Sequence, residues 1–535
     1  MTAFPALIFL IGLIGVVFPC IKGATLPGDI GDARLNQYIL EHFYHVIIGK
    51  EVSFVNAPFF YPWVKTISFS DTHWGTAFIY ASLRLAGLTS EKAFAGWFLI
   101  GFVLNYWAAY FVNSKLGLRQ LGAAVGAFLL AFSLPVIAQY GHPQLIYRMY
   151  VPLAFFVLYK YFGSKDPRYA ALTVLLLAMQ FLTDFYNGLF LALFLGAYLI
   201  ATLYLAPVGQ QCAQNRERLQ SILPAKNLDR SIWVSTFIIL TAASTILLLV
   251  AVPYLLVQHL YGFRYSFVDI KTMLPRIQSY FIGDYSQLWF SSNWTLSQFP
   301  MRHEHQMFIG FGSIIVLLYG LIAKDLLNKN RLALSFAISV SILILVTLNI
   351  GDFSLYHLLC ILPGFSAVRA VSRIILILLF PIGFIIGYVI DTIALKDFKY
   401  ISSSAILGIL CICIISDSIL ANKPTTSAID WNNRLKLLES RIVKPIEKDS
   451  ILAVAAQAPR FSNDIDAMLF AQSKGIKTLN GYSAHSPPSW IFMKTCDDVD
   501  QVIAAADKFT MAYFPKDPKV DRSKLISVGF ERDCQ

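Results

Sequence analysis

Apolar residues in this chain come in runs long enough to cross a lipid bilayer, and there are about eleven of them. They lie at roughly 4–22, 90–112, 120–138, 149–163, 169–183, 187–206, 231–257, 306–323, 332–350, 373–394 and 400–420. Inside lipid a backbone must satisfy its own hydrogen bonds, and a run of this length does so as a helix. The expected fold class is an α-helical polytopic membrane protein. Composition agrees: 56% of the residues are hydrophobic and 14% charged, against about a quarter charged in soluble domains. The first run, about Phe4 to Ile21, has no basic start and no small-x-small cleavage site. It reads as a retained helix rather than a signal peptide.

The formal charge of +11 does not point to nucleic acid. Much of the basic excess sits in short loops between apolar runs, a signature of topology. One set of loops holds Lys115 and Arg119; Lys160, Lys165 and Arg168; Arg216, Arg218, Lys226 and Arg230; Lys324, Lys329 and Arg331; Lys396 and Lys399. The alternate set is nearly free of lysine, and its arginines stand isolated, as Arg148, Arg369 and Arg373 do. The positive-inside rule then puts the N-terminus in the cytoplasm. Loops 23–89, 139–148, 258–305 and 351–372, and the tail from about 421, face the outside.

Two outer regions are too large to be connectors. In the first loop, 23–89, the apolar residues Leu35, Ile39, Phe43, Val46 and Ile47 recur at helical spacing. This predicts an amphipathic helix over 32–49 lying on the membrane surface. A second interfacial helix is expected over 74–88. The tail, 421–535, mixes charges of both signs. It reads as a small periplasmic α/β domain following a membrane domain of residues 1–420. Its expected strands are 451–455, 477–479, 511–514 and 525–530, and its expected helices 464–473 and 497–509. Seven cysteines show no metal-ligand spacing. Cys496 and Cys534 share the tail, where a periplasmic location permits a disulfide.

Charged residues at membrane depth are costly unless they work or pair. Pro27-Gly28-Asp29-Ile30-Gly31-Asp32-Ala33-Arg34 follows the first helix. Either Asp29 or Asp32 could act as a general base or hold a metal against a phosphate. Asp32 could equally cap the helix it opens. Glu41 and His42, and the second acidic-plus-histidine spot Asp71 and His73, are further candidates in this loop for contact with substrate or a metal. Arg302-His303-Glu304-His305 precedes a later span; His303, Glu304 and His305 could ligate metal or hold a phosphate, although residues i and i+2 do not share a helix face. Arg369 and Arg373, four apart on an expected emerging helix, suit a phosphate group. His142, Arg148 and Asp184 add polar residues near the same face. A cavity collecting these groups fits chemistry on a lipid-linked phosphate.

The layout resembles the GT-C superfamily, multi-span glycosyltransferases that use polyprenyl-phosphate sugars. The likeness lies in a first span, a long acidic outer loop with two interfacial helices, many further spans and a soluble outer tail. Gly28-Asp29, Asp32-Ala33-Arg34, Leu40-Glu41-His42, Phe60-Tyr61-Pro62 and Ser70-Asp71 carry it, with Pro363-Gly364-Phe365, Arg369 and Ser372-Arg373. They resemble a poorly characterised bacterial branch. The resemblance covers about 1–420 and implies an acidic base, matched by Asp32 or Asp29. It implies an arginine on the lipid phosphate, matched by Arg369 or Arg373; Arg148 and His142, from the reading of the residues themselves, are further candidates for the donor phosphate. Its implied partners are a polyprenyl-phosphate sugar donor and a glycan, lipid or protein acceptor at the periplasmic face of a bacterial inner membrane. Members differ in metal need, so a divalent cation such as Mg or Mn stays open. A WWD-type acceptor motif is missing from the tail, which argues against transfer to an asparagine sequon. A transporter or flippase of lipid-linked sugars is the alternative; it would place polar residues at span centres in broken helices.

Overall fold

The computed structural model describes residues 3–205, 223–225, 228–289, 299–323, 326–351, 353–362, 364–396, 402–457 and 460–534. Arg216, Arg218, Lys226, Lys324, Lys399 and Cys212 lie outside them. Every one of the apolar runs carries helix. Among the described residues six helical stretches are long and apolar enough to cross a membrane: Phe4–Ile21, Ser90–Lys115, Gln120–Ala138, Phe185–Tyr204, Arg230–Tyr261 and Val371–Ala394. Pro167–Thr183, Phe311–Ile322, Arg331–Thr347 and Ser403–Ile419 are apolar but shorter, and Tyr150–Ser164 has 15 residues. The chain is a mostly helical, multi-pass membrane protein.

Local chemistry sets the helix ends. Asp184 caps Phe185–Tyr204, accepting from Asn187 N at 2.7 Å. The expected run 306–323 becomes helical only at Phe311, because Gly310 takes a φ of +97° and Asp417 Oδ2 accepts from Phe311 N at 2.7 Å. At the centre, helices Gln120–Phe132 and Ile375–Ala394 meet through Gly122, Gly126, Gly383 and Gly387. A Cβ on Gly126 would stand 2.7 Å from Gly383 O, so only small residues allow this approach.

The first loop forms the helix expected of it, Asp32–Ile47, followed by Trp74–Leu85. It does not lie bare on a membrane surface. Leu35, Tyr38 and Ile39 share a buried cluster with Ile465, Met468 and Leu469 of the tail. The helix packs between Trp74–Leu85 and tail helix Arg460–Lys474. Its polar residues are buried because they have partners on both sides, which periodicity alone does not reveal.

Strand β1 (Thr25–Pro27) pairs antiparallel with β2 (Thr425–Ser427), Leu26 facing Thr426. The start of the loop is thus joined to the start of the tail. Strands β3 (Ile451–Val454), β4 (Lys477–Thr478) and β5 (Leu525–Val528) make a parallel sheet in the order β4-β3-β5. Helix Arg460–Lys474 links β3 to β4, and helix Cys496–Tyr513 lies between β4 and β5. The expected strand at 511–514 is instead the end of that second helix. A Thr495–Asp498 capping box starts it, and Val499, Val502, Ile503, Ala506 and Thr510 keep one face buried through its last turn.

Cys496 and Cys534 are joined by a disulfide, with Cα atoms 5.0 Å apart and a sequence separation of 38. A loop of that length is held by about 4 kcal/mol of lost unfolded-state entropy. Cys534→Ser should lower the tail's urea midpoint accordingly, followed by tryptophan fluorescence of the full-length protein. Reduced wild type should fall to the same midpoint.

Candidate functional site

The site grows from a close approach of two turns. Gly28 has a φ of +84°, and a Cβ there would stand 2.6 Å from Tyr140 O. Only glycine allows this contact. It presses the turn 28–32 against the turn 139–142, which carries His142.

Asp29 performs the capping that Asp32 was a candidate for. Asp29 Oδ1 accepts from Gly31 N at 3.0 Å and from Ala33 N at 3.4 Å. Asp32, the first helical residue, is free for other partners. Its Oδ2 lies 2.8 Å from His142 Nδ1, an ion-pair contact without hydrogen-bond alignment. Its Oδ1 accepts from the Tyr482 hydroxyl at 2.5 Å. His142 Nε2 in turn lies 3.5 Å from Glu304 Oε1. Glu304 is held by both arms of Arg373, at 2.8 Å from Nε and 2.6 Å from Nη2. A bidentate pair of this kind fixes both position and orientation. The Arg373 guanidinium sits over the Tyr186 ring at 4.9 Å. The network therefore draws on the first loop, the 139–148 turn, the 299–310 segment, the start of a late helix and the tail.

Protonation follows from this layout. Burial and the Arg373 charge oppose a proton on His142, but Asp32 and Glu304 outweigh them and raise it to about 9. Burial would raise the Asp32 carboxyl; His142, Tyr482 and the Arg373 charge hold it below the usual carboxylate range. Glu304 is buried, yet Arg373 and His142 hold it well below its ordinary value. Asp29 goes the other way: loss of solvent and the Asp32 charge push it up. The two aspartates, three residues apart, are thus set apart in basicity.

Arg369 contrasts with Arg373. It is exposed, lies over the Tyr265 ring at 5.2 Å and has no ion pair among the described residues. His485 stacks on the same ring at 4.8 Å and on Phe263 at 4.6 Å. Burial and the Arg369 charge lower His485 to about 4, so it is neutral. Arg369 and Arg373 do not share a helix face as expected. A 3₁₀ turn spans Val371–Ile374 and the α-helix begins at Ile375. This difference lets one arginine be neutralised while the other stays open.

Other candidates serve the frame. Glu41 accepts from Tyr80 at 2.5 Å and from Arg84 Nε and Nη2 at 2.9 Å, and these partners, with His45, overcome burial to bring it to about 2. His42 Nε2 lies 2.8 Å from Ser53 O. Arg148 is fully buried and donates to the carbonyls of Leu145 and Leu130. His305 is fixed between the Ser279 hydroxyl and Thr272 O, while His303 is exposed 4.0 Å from Glu304. Asp71 accepts from Phe185 N at 2.9 Å, and burial raises its carboxyl. Of the His303-Glu304-His305 run only Glu304 enters the network. Among the described residues no three His, Cys, Asp or Glu side chains are grouped to hold a metal.

Tyr482, His485, Tyr265 and Tyr186 were not singled out by sequence reasoning. Asn480-Gly481-Tyr482-Ser483-Ala484-His485 is a glycine-containing polar and aromatic turn, the one local signal that could have flagged two of them.

No family model matches the sequence, and no curated protein matches it. Solved structures similar to it include the Archaeoglobus fulgidus oligosaccharyltransferase complexed with Zn and sulfate. That match has 10% identity and a TM-score of 0.47, over 90% of this chain and 62% of that one. The same enzyme tethered to an acceptor peptide matches at 11% identity and 0.48, over 95% and 68%. The arabinofuranosyltransferase AftD from Mycobacteria matches at 14% identity and 0.45, over 85% of this chain and 29% of that one. The chain thus spans less than two thirds of the first of these and under a third of the last. The likeness concerns the fold, and at these scores nothing further rests on it.

Proposed function

We propose that this protein is a GT-C-type glycosyltransferase of the bacterial inner membrane. It moves a sugar from a polyprenyl-phosphate donor to a cell-envelope acceptor on the periplasmic face. The observation that carries this reading is a pair of opposite charges, Asp29 and Arg369, that both act on Tyr482 beside Asp32 and are left open for two substrates. Asp29 is a solvent-reachable carboxylate whose basicity its surroundings and Asp32 raise, and Arg369 is an exposed guanidinium without an ion pair among the described residues.

Asp29 takes the proton of an acceptor hydroxyl as that oxygen attacks the anomeric carbon. The bond from that carbon to the phosphate oxygen breaks, and the charge gathering on the polyprenyl phosphate meets Arg369. Tyr265 and His485 present flat faces beside it. Asp32, held by His142 and Tyr482, stays anionic and keeps Asp29 basic. Direct displacement inverts the anomeric configuration. The transporter reading calls for charges at span centres, whereas these groups sit in loops and at helix starts.

Arg369→Ala tests the donor half of this reading. Transfer from labelled polyprenyl-phosphate sugars should fall about 100-fold, the usual loss for one donor at a developing oxyanion. Thermal stability should not move, because the side chain is exposed and carries no ion pair among the described residues. Arg369→Lys should recover part of the rate. Equal rates in all three proteins would remove Arg369 from the donor site.

A further inference from the structure

The tail sheet carries a second feature, separate from the network around Asp32. In the order β4-β3-β5 the chain leaves β3 toward one side and later returns on the other. Connections diverge where the direction reverses, opening a crevice at the carboxyl ends of the two strands. A cavity of about 110 Å³ lies at that point, lined by Val454 and Ala455 at the end of β3 and by Val528 and Gly529 at the end of β5. Its rim is basic. Arg434, on helix Ala428–Ser440, and Arg441, the residue ending that helix, both line it. Seven residues apart, they share one face.

The charges there do not cancel. Asp466 is the carboxylate in the cavity wall, and it is shared between two guanidinium groups: Arg434 Nη2 lies 2.5 Å from its Oδ2 and Arg34 Nη1 2.5 Å from its Oδ1. Two positive charges thus face one negative charge. Arg441 adds another, exposed and without an ion pair among the described residues. Arg434 Nε is buried with no hydrogen-bond partner. A buried N–H left unpaired costs free energy that an acceptor would recover. A crevice with surplus guanidinium charge and an unmet donor calls for an oxyanion, which arginine forks bind in pairs.

We propose that this crevice binds a phosphate group, either free or as part of a lipid headgroup. It abuts the loop helix, since Asp466 also holds Arg34, two residues beyond Asp32. The site does not depend on the transfer reaction proposed above.

The test uses the full-length protein in detergent, titrated with inorganic phosphate against sodium chloride of equal ionic strength. Binding is followed by calorimetry and by fluorescence of Trp431, which is buried with the Arg34 guanidinium over its ring. Saturable phosphate binding is expected, weakened about tenfold or more by Arg441→Glu and by Arg434→Gln. Arg441 is exposed, so its variant keeps the fold even if Arg434→Gln loosens the tail. Competition by phosphatidylglycerol vesicles, and none by phosphatidylcholine, would assign a headgroup; unopposed phosphate binding would assign a soluble group. A response equal to that of chloride, or equal affinity in wild type and Arg441→Glu, overturns the proposal.

Discussion

Asp29→Asn is expected to lower sugar transfer by about 100- to 10,000-fold, the range for loss of a general base, with no change in folding. Asparagine keeps a side-chain oxygen for the Gly31 and Ala33 amides, so the turn before the loop helix survives. Only the proton acceptor is lost. The pH profile separates Asp29 from its neighbour. In wild type the acid limb of kcat/KM should lie above the ordinary carboxylate range, because loss of solvent and the Asp32 charge raise Asp29. Asp32→Asn removes that negative charge, so the limb should move to lower pH. The same change frees His142 and Tyr482, so the maximal rate should fall as well. An unmoved acid limb in Asp32→Asn would show that Asp29 is not the titrating base.

Breaking the Glu304–Arg373 pair should have the largest effect on stability. Both groups are at least nine-tenths buried, and the contact is bidentate. Glu304→Ala leaves a buried guanidinium with no carboxylate, at a cost of about 3–5 kcal/mol. It also removes one of the two carboxylates that keep His142 protonated. Replacing both partners, Glu304→Met with Arg373→Met, should recover most of the stability, since an apolar pair of similar volume needs no desolvation. Transfer should not recover, because His142 would lose its second anchor and Asp32 would lose a fixed partner. Thermal unfolding of the two variants and the wild type, set beside their transfer rates, checks both halves. A double variant that regained activity would reduce the pair to scaffold.

The wild-type network has a defined pH window. His142 keeps its proton until pH rises through about 9, and its stabilising contribution is present below its unfolded value and lost across that rise. Asp32 and Glu304, both depressed, contribute above their unfolded values and lose that contribution as pH falls through the folded ones. Unfolding temperature should therefore be highest at weakly acidic pH, between the unfolded carboxylate and unfolded histidine values, and should decline below that window and, on the alkaline side, across the whole rise to about 9.

Much of the architecture is legible because lipid and helix geometry leave marks at short range. Leu35, Ile39, Phe43, Val46 and Ile47 announce the loop helix, and the observed helix Asp32–Ile47 agrees to within its last turn. What surrounds that helix is not legible. Arg34 meets Asp466 across 432 residues, and Asp32 meets Tyr482 across 450. No local pattern reports such pairs. Glu41 and Arg148 look functional in sequence because they are charged residues at membrane depth, yet Glu41 pairs with Arg84 and Arg148 holds backbone carbonyls. Cost at depth identifies residues that must have partners, and a structural partner satisfies the cost as well as a substrate does. The strand expected at 511–514 fails for a related reason: its apolar character is local, while the helix it ends is set by a cap at Thr495 and a buried face far upstream.

The most direct measurement of the central claim is transfer in right-side-out membrane vesicles containing the wild-type protein. Labelled polyprenyl-phosphate sugar would be supplied from the outside, and the product's anomeric configuration read by NMR. The account predicts label in an envelope acceptor, with inverted configuration, and none with Asp29→Asn. Retained configuration, or no transfer from any such donor by a well-folded wild-type protein, would contradict it.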